Sequence, residues 1–479
     1  MFMSKLGITL IQAHPESLGG RILFGAGSAH SEILSKQRYQ PLGVLYLASA
    51  LSQAGFESTV IDARYFGNPA RAIAGRLRKF ERNLVGVSFT SADIKGAFAL
   101  VRFIRTIAPK AVIVVGGPHI TSAPAAARFM GADFGVRGDG ERAIVTLARA
   151  VADGGEPTAD GLFRADEEKA AETPAAVEND LDSLPFPDIL KVPPDDYSFP
   201  LFVGRSATII ASRGCPYNCI FCGIPHRGEF RGRSAENVVE ELKLRIKQGF
   251  GYIDFKDDCF SIDLQRAKGI CEMIISANVK IEWGCETRID RLDEEFIELA
   301  YRAGCKNIKF GIESGVERVQ KIIGKRLKLD RAPEMIEKLK RRGITTIAYF
   351  LFGHPDESYS EMEDTVKFAL KLGSDIANFT LAVPIPGTSL FERAVSEGKI
   401  GANVCEEIAR GAAIPVYSPD GVTLDEMKRL RAKAYLRFYL RPTLIARQIK
   451  LNSGSLKSLA KTSKLGVELI LRNLNTTLR

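Results

Sequence analysis

Residues Thr208–Gly223 read TIIASRGCPYNCIFCG. The opening TIIAS is a short β-branched apolar run, the mark of a buried strand. A glycine ends it, and Cys215, Cys219 and Cys222 follow in C-x3-C-x2-C spacing on a strand-to-helix loop. Thiolates hold iron–sulfur clusters, and a four-iron cluster with only three protein thiolates keeps one iron open for a further ligand. A Cys3His zinc site is the competing reading, because His226 stands four residues beyond Cys222; a closed structural zinc has no need of a strand terminus. The other cysteines, at 259, 271, 285, 305 and 405, lack ligand spacing. They read as buried free thiols, with a second cluster as the alternative.

The strand at 208–212 is the first of six. Downstream come YIDFK (Tyr252–Lys256), IEWGCE (Ile281–Glu286), NIKFGI (Asn307–Ile312), TTIAYFLFG (Thr345–Gly353) and IANFTLAV (Ile376–Val383), separated by helical patterns such as AENVVEELKLRIKQG and APEMIEKLKRRG. Six βα units predict an open or closed α/β barrel over 201–400, with chemistry at the strands' C-terminal ends. Upstream, Gly7–Gln12, Ser58–Ala63, Leu84–Thr90, Ala111–Gly117 and Ala132–Gly138 are apolar runs alternating with helical stretches at Leu42–Gly55 and Asp93–Pro109. That pattern predicts a doubly wound parallel sheet over 1–152. Its ligand crevice lies outside the strands' carboxyl ends, near Ser88, Thr90, Gly116, Gly117, Pro118, His119 and Gly138. Residues 153–200, rich in Asp, Glu, Pro and Ala, read as a connector without a core of their own. Residues 401–479 read as a helical C-terminal region.

With 479 residues, 45% hydrophobic and 26% charged, the chain is too long for one ordinary core and too apolar for disorder. Three of its eight cysteines crowd into 215–222, which suits metal binding in a reducing compartment and implies oxygen sensitivity. The start lacks a signal-peptide pattern and no apolar run reaches the roughly 20 residues of a bilayer span. A cytoplasmic protein is expected. Of the formal charge of +9, residues Arg441–Arg479 supply +7, from eight Lys or Arg and one Glu, leaving +2 elsewhere. Nucleic-acid binding by the whole surface is therefore excluded as an expectation. Residues 424–440 predict an amphipathic helix ending before Pro442, and the basic, apolar-striped tail beyond it suits either peripheral contact with the anionic inner membrane surface or a cationic cap on the barrel.

These motifs resemble the radical S-adenosylmethionine (radical SAM) superfamily, and within it the cobalamin-binding class B methyltransferase and cyclase type. The likeness runs through FKDDCFSID, WGCETRID, KFGIESGVERV, FLFGHPDES and VPIPGTSLFERA after successive strands, covering about 205–395, and through QPLGVLYLASAL, VIDAR, VGGPH and VRGDGERA in the N-terminal half. It implies an α/β protein: a Rossmann-like cobalamin-binding sheet, a partial (β/α)6 TIM-type radical SAM barrel and a helical tail. It further implies that Cys215, Cys219 and Cys222 hold a [4Fe–4S] cluster whose open iron chelates S-adenosylmethionine, with Phe221 as the aromatic before the last ligand. Asp257 or Asp258 would meet the methionine amino group or cap a helix, and Arg288 would pair with the methionine carboxylate or a surface acid. Glu313 and Ser314 would contact the ribose or amino group, or serve structurally; Gly353, His354 and Pro355 resemble the adenine-side turn, with the role of His354 open.

Cobalamin would occupy the crevice of the first sheet. None of the five histidines, at 14, 30, 119, 226 and 354, has an Asp two positions earlier, so a lower axial ligand from D-x-H-x-x-G is excluded. A flavodoxin-like domain that lost its cofactor is the alternative. The activity implied is formation of a 5′-deoxyadenosyl radical and cobalamin-dependent methylation of an unactivated carbon. Oxidative cyclisation, rearrangement or carbon–carbon coupling of a lipid, tetrapyrrole or natural product is the second reading, and a non-catalytic metal-binding or electron-transfer module the third. The implied partners are a small-molecule, lipid or peptide substrate and a reductant such as ferredoxin or flavodoxin.

Overall fold

Short apolar strands alternating with amphipathic helices build two parallel sheets whose carboxyl ends share cavities. The computed structural model describes residues 6–14, 38–65, 68–224 and 228–444. In the first sheet, β1 (Leu6–Gln12), β2 (Ser58–Asp62), β3 (Arg82–Ser88), β4 (Val112–Gly116), β5 (Phe134–Val136) and β6 (Leu162–Arg164) lie in the order β2-β1-β3-β4-β5-β6. The first five are parallel. Chain order reverses at β1 and β3, where Leu10 registers with Gly86 and Gln12 with Ser88, so the ligand crevice falls beyond Ser88. Helices Leu42–Gln53 and Glu141–Asp153 bury Leu45, Leu51 and Leu147 on one face; helices Pro69–Leu77 and Ile94–Ile107 bury Ile73, Leu100 and Ile104 on the other.

The segment expected to be a plain connector does more. Leu162–Arg164 joins β5 as an antiparallel edge strand, and Ile189, Val192 and Tyr197 are buried in the core shared with the barrel. Tyr197 donates its hydroxyl proton to Asp62 at 3.0 Å. Single apolar residues spaced among Pro and Asp carry no period, so their burial leaves no pattern to read.

In the second sheet, β7 (Ser206–Ile209) is followed by a two-stranded ribbon, β8 (Ser212–Arg213) and β9 (Arg231–Gly232), which brackets the cysteine loop. Then come β10 (Tyr252–Phe255), β11 (Glu282–Thr287), β12 (Cys305–Glu313), β13 (Thr345–Phe352) and β14 (Ile376–Leu381). The order β14-β13-β12-β11-β10-β7, all parallel, is an open six-stranded barrel. Ile253, Trp283, Ile308, Phe310, Ile347 and Phe379 are buried in the core on its two faces. Cys271, Cys285 and Cys305 are buried in the same core, and Cys259 lies against Thr287 with its Sγ 3.3 Å from the hydroxyl.

The predicted helix at 424–440 spans Leu424–Tyr439, opened by a capping box of Thr423 and Glu426. It covers the outer edge of β14. The Tyr439 hydroxyl donates to the Ala377 carbonyl at 2.7 Å and accepts from the Ala377 N–H at 3.1 Å. Tyr435 meets the Phe379 N–H and carbonyl, both at 3.2 Å. A second C-terminal helix, Val404–Ala409, returns to the first sheet's outer helices and buries Ala409 there. No helix among the described residues is long and apolar enough to cross a membrane. The basic tail beyond Leu444 lies outside the described residues, as does His226.

Candidate functional site

Cys215 and Cys219 are buried and Cys222 is half-buried, all as free thiols on the loop that leaves β8. Backbone bonds pin this loop: Gly214 N–H to Asp258 Oδ2 at 2.9 Å, Gly228 N–H to Cys215 O at 2.9 Å, Ile220 N–H to Ile323 O at 3.1 Å and Leu390 N–H to Ile220 O at 2.9 Å. Burial raises all three thiols, Cys222 up to about 12. Thiols so placed stay protonated on their own, and coordination to iron is the kind of event that would deprotonate them. Among the described residues no three His, Cys, Asp or Glu side chains converge tightly enough to grip one ion; a multi-iron cluster takes its thiolates at separate corners.

The strand ends facing this loop divide the predicted residues into two groups. Asp257 is buried and committed: it accepts from the Ala211 N–H at 2.8 Å and from the Ser212 hydroxyl, tying the end of β10 to the start of β8. Asp258, its neighbour, borders two cavities. Ser314 is fully buried, paired with Thr365 at 3.0 Å and accepting from the Val316 N–H. Glu313 stands at φ 65°, where side chains are strained, and forms an ion pair with Lys325 at 2.7 Å. Arg288 grips Asp290 with two nitrogens at 3.0 and 2.8 Å and lies 3.9 Å over the Tyr217 ring. Its Nη1 is buried without a partner.

At the end of β13, Gly353 has φ 88°, and a Cβ there would press on Tyr417 O at 2.8 Å. Glu357, which sequence reading passed over within FGHPDES, organises this turn by accepting from the N–H groups of Gly353 and His354 at 2.9 and 3.0 Å. Burial pushes its carboxyl up to about 8. His354 is fully buried, 5.7 Å from the Phe221 ring, with both ring nitrogens unpartnered; burial holds its pKa down to about 3, so it is neutral.

Across from these lie the carboxyl ends of the first sheet. A cavity of about 290 Å³ runs under β1, β3 and β4, lined by Leu10, Gly86, Ser88, Gly116, Gly117, Pro118 and Gly138 and closed from the barrel side by Ser212, Arg213, Lys256 and Asp258. Gly116 has room: a Cβ there meets nothing closer than Val136 at 3.8 Å. Gly117 and Gly138 are required by the loops instead, since a Cβ would strike Ser88 and Phe89 at 2.7–3.0 Å, or the Ala176 backbone. A second cavity, about 450 Å³, is lined by Thr90, Ser91, Pro118 and His119 on one side, Gly223 and Ile224 of the cysteine loop, and the apolar Val383, Ile385, Phe391, Ile408 and Ile414. Cys405, expected to be buried, is half-buried on this wall. Thr90 is held by Asp93, and His119 Nδ1 meets Ser91 at 2.9 Å while its Nε2 has no partner.

Comparison with known proteins fits this geometry. Residues 209–369 match the radical SAM superfamily model and residues 33–148 the B12 binding domain model. An uncharacterized methyltransferase of Pyrococcus horikoshii is 31% identical, over 85% of this chain and 90% of that protein. The chain is a radical SAM protein with a B12-binding domain. An anaerobic magnesium-protoporphyrin IX monomethyl ester cyclase of Cereibacter sphaeroides is 28% identical, over 88% of this chain and 71% of that protein. In fold, the radical SAM methyltransferase TsrM of Kitasatospora setae, solved with cobalamin and a [4Fe–4S] cluster, superposes with a TM-score of 0.72 at 18% identity, covering 98% of this chain and 99% of that one.

In this radical SAM enzyme the two halves are joined by an ionic group that sequence reading did not find. Asp139, on the loop after β5, pairs with Arg213 of β8 and Arg231 of β9, both at 2.6 Å. Arg213 also takes Glu141 at 2.7 Å. The loop that walls the first cavity is thereby fastened to the ribbon that carries the cysteines. The only hint in the sequence was the charge in VRGDGERA, which named no partner.

Proposed function

We propose that this enzyme methylates an unactivated carbon of an apolar small molecule. The observation that supports this best is the second cavity, whose walls come from the β3 and β4 ends on one side and the residues after Cys222 on the other. Its volume is that of a ligand site, and its aliphatic walls suit an uncharged substrate. Cys215, Cys219 and Cys222 are the proposed cluster ligands. The residues present fit cobalamin at the first cavity: Gly116 leaves space on its wall, where a Cβ meets nothing closer than Val136 at 3.8 Å. When bound, the cluster and S-adenosylmethionine supply a 5′-deoxyadenosyl radical and cobalamin a methyl group.

This chain's own residues position and shield. Asp258 fixes the start of the cysteine loop through Gly214 and borders both cavities, so it is the better candidate of the two aspartates for contact with a ligand's amino group. Neutral His354 and Phe221 offer a dry, hydrogen-bonding surface beside the loop, while Ile385, Phe391 and Ile408 exclude water from the reacting carbon.

Anaerobic turnover with methyl-deuterated S-adenosylmethionine tests the reading. Product should gain the label, with one S-adenosylhomocysteine and one 5′-deoxyadenosine formed per product. Product accompanied by 5′-deoxyadenosine alone would mean cyclisation, rearrangement or coupling, the activity named for the Cereibacter relative. The basic tail is proposed to rest on anionic lipid, worth about 1 kcal/mol per cation near the surface; equal vesicle binding after removal of 442–479 would refute that.

A further inference from the structure

Against the cysteine loop, between it and the segments that follow β11 and β12, lies a polar cleft of about 750 Å³. One wall is the loop itself, Pro216, Tyr217 and Asn218; the others carry six cations and a single acid, Asp290. Two cations are committed, Arg288 to Asp290 and Lys325 to Glu313. Arg291, Arg326, Lys328 and Arg331 are exposed and form no salt bridge among the described residues. Four cations without a salt bridge, of which Arg331 has the acid Glu334 in its field, stand out in one cleft on a chain with a net charge of only +2 before its tail. Clustered like charges raise the local potential and steer a partner of opposite sign.

We infer that this cleft docks an acidic one-electron carrier protein that reduces the cluster. The inference rests on the proposed cluster at Cys215, Cys219 and Cys222. Tyr217 supports this partner over a free anion. Its ring is held by Arg288 at 3.9 Å, its hydroxyl receives the Arg291 Nε–H at 2.6 Å, and it stands two residues from both Cys215 and Cys219. Two residues span at most about 7 Å of chain, so a carrier seated against Tyr217 rests on the loop that holds the cluster. The transfer balances: one electron leaves the carrier, the cluster gains one, and no proton or bond is exchanged. Radical formation from S-adenosylmethionine requires that electron.

The test compares the full-chain holoenzyme with its Lys328→Glu/Arg331→Glu variant. Both residues are exposed, and Arg331 caps the N-terminus of helix Ala332–Arg341, where an acid is favourable, so folding is preserved. Oxidised acidic flavodoxin is titrated without substrate, and cluster reduction is followed by its absorbance with reduced flavodoxin or with a reduced viologen, a small cation. The variant should bind flavodoxin at least about 10-fold more weakly, with a flatter salt dependence, and be reduced more slowly by it. Reduction by viologen should be unchanged. Equal flavodoxin affinity and rate in both proteins would overturn the inference alone. Parallel loss with viologen would assign the residues to the cluster's support and overturn it too, and absence of any reducible cluster would overturn the proposed site along with it.

Discussion

Asp139→Ala should loosen the joint between the two halves. The carboxylate accepts from Arg213 and Arg231 at 2.6 Å each and from the Glu178 N–H at 2.8 Å. Arg231 is 8% exposed and Asp139 9%, so the pairs are shielded from solvent. Removing one partner of such a group costs about 3–5 kcal/mol, because the remaining charges stay buried. Arg213 keeps Glu141, which places the expectation near the lower end, about 3 kcal/mol. Arg231 loses its carboxylate, and its Nε and Nη2 already lack partners. At roughly 2–4 °C per kcal/mol for a unit of 150–250 residues, thermal denaturation of the full chain should shift down by about 6–12 °C. Adding Arg231→Met should recover part of the loss, since an apolar replacement removes the stranded charge. A shift within about 1 °C, or additive losses in the double variant, would refute the reasoning.

Gly116→Phe should abolish cobalamin retention while leaving the fold intact, because Gly116 lines the first cavity and a Cβ there meets nothing closer than ordinary contact with Val136 at 3.8 Å; retained corrinoid in the purified variant would count against that cavity. The same change at Gly117 should destabilise the protein instead, as its Cβ collides with Ser88 and Phe89. Glu357, held near 8 by burial, gives stability that is complete below the ordinary carboxyl pKa of about 4.3 and lost as pH rises through 8. Glu357→Gln should flatten the stability profile between pH 5 and 8, read from urea denaturation, and an unchanged slope would discount this carboxyl.

Both sheets were legible because their strands are continuous apolar runs separated by amphipathic helices, and the six barrel strands lie within a few residues of their expected positions. The cysteine loop was legible for a different reason: its spacing is chemical and survives without knowledge of the fold. What escaped were pairings that depend on three dimensions. Asp257 and Asp258 are indistinguishable in FKDD, yet Asp257 is buried against Ala211 and Ser212 while Asp258 holds the Gly214 N–H and borders both cavities. Gly117 looked like the floor of a crevice, but its freedom serves a close crossing of β3. β6 has three residues, too few for a period to emerge. The cleft around Tyr217 comes from segments 216–218, 288–292 and 324–335, adjacent only in the folded barrel, and Glu357 turns back on N–H groups three and four residues before it in a turn that no period marks.

The two tyrosines along β14 bear on how this barrel can associate. A parallel barrel that stops at six strands leaves a rim of amide groups ready to accept another strand, whether from a second molecule or a misfolded copy. Tyr435 and Tyr439 answer the outward N–H and carbonyl groups of Phe379 and Ala377 with hydroxyls instead. A hydroxyl can both donate and accept, but it cannot propagate a ladder. The barrel can thus stay unclosed without becoming a template for self-association.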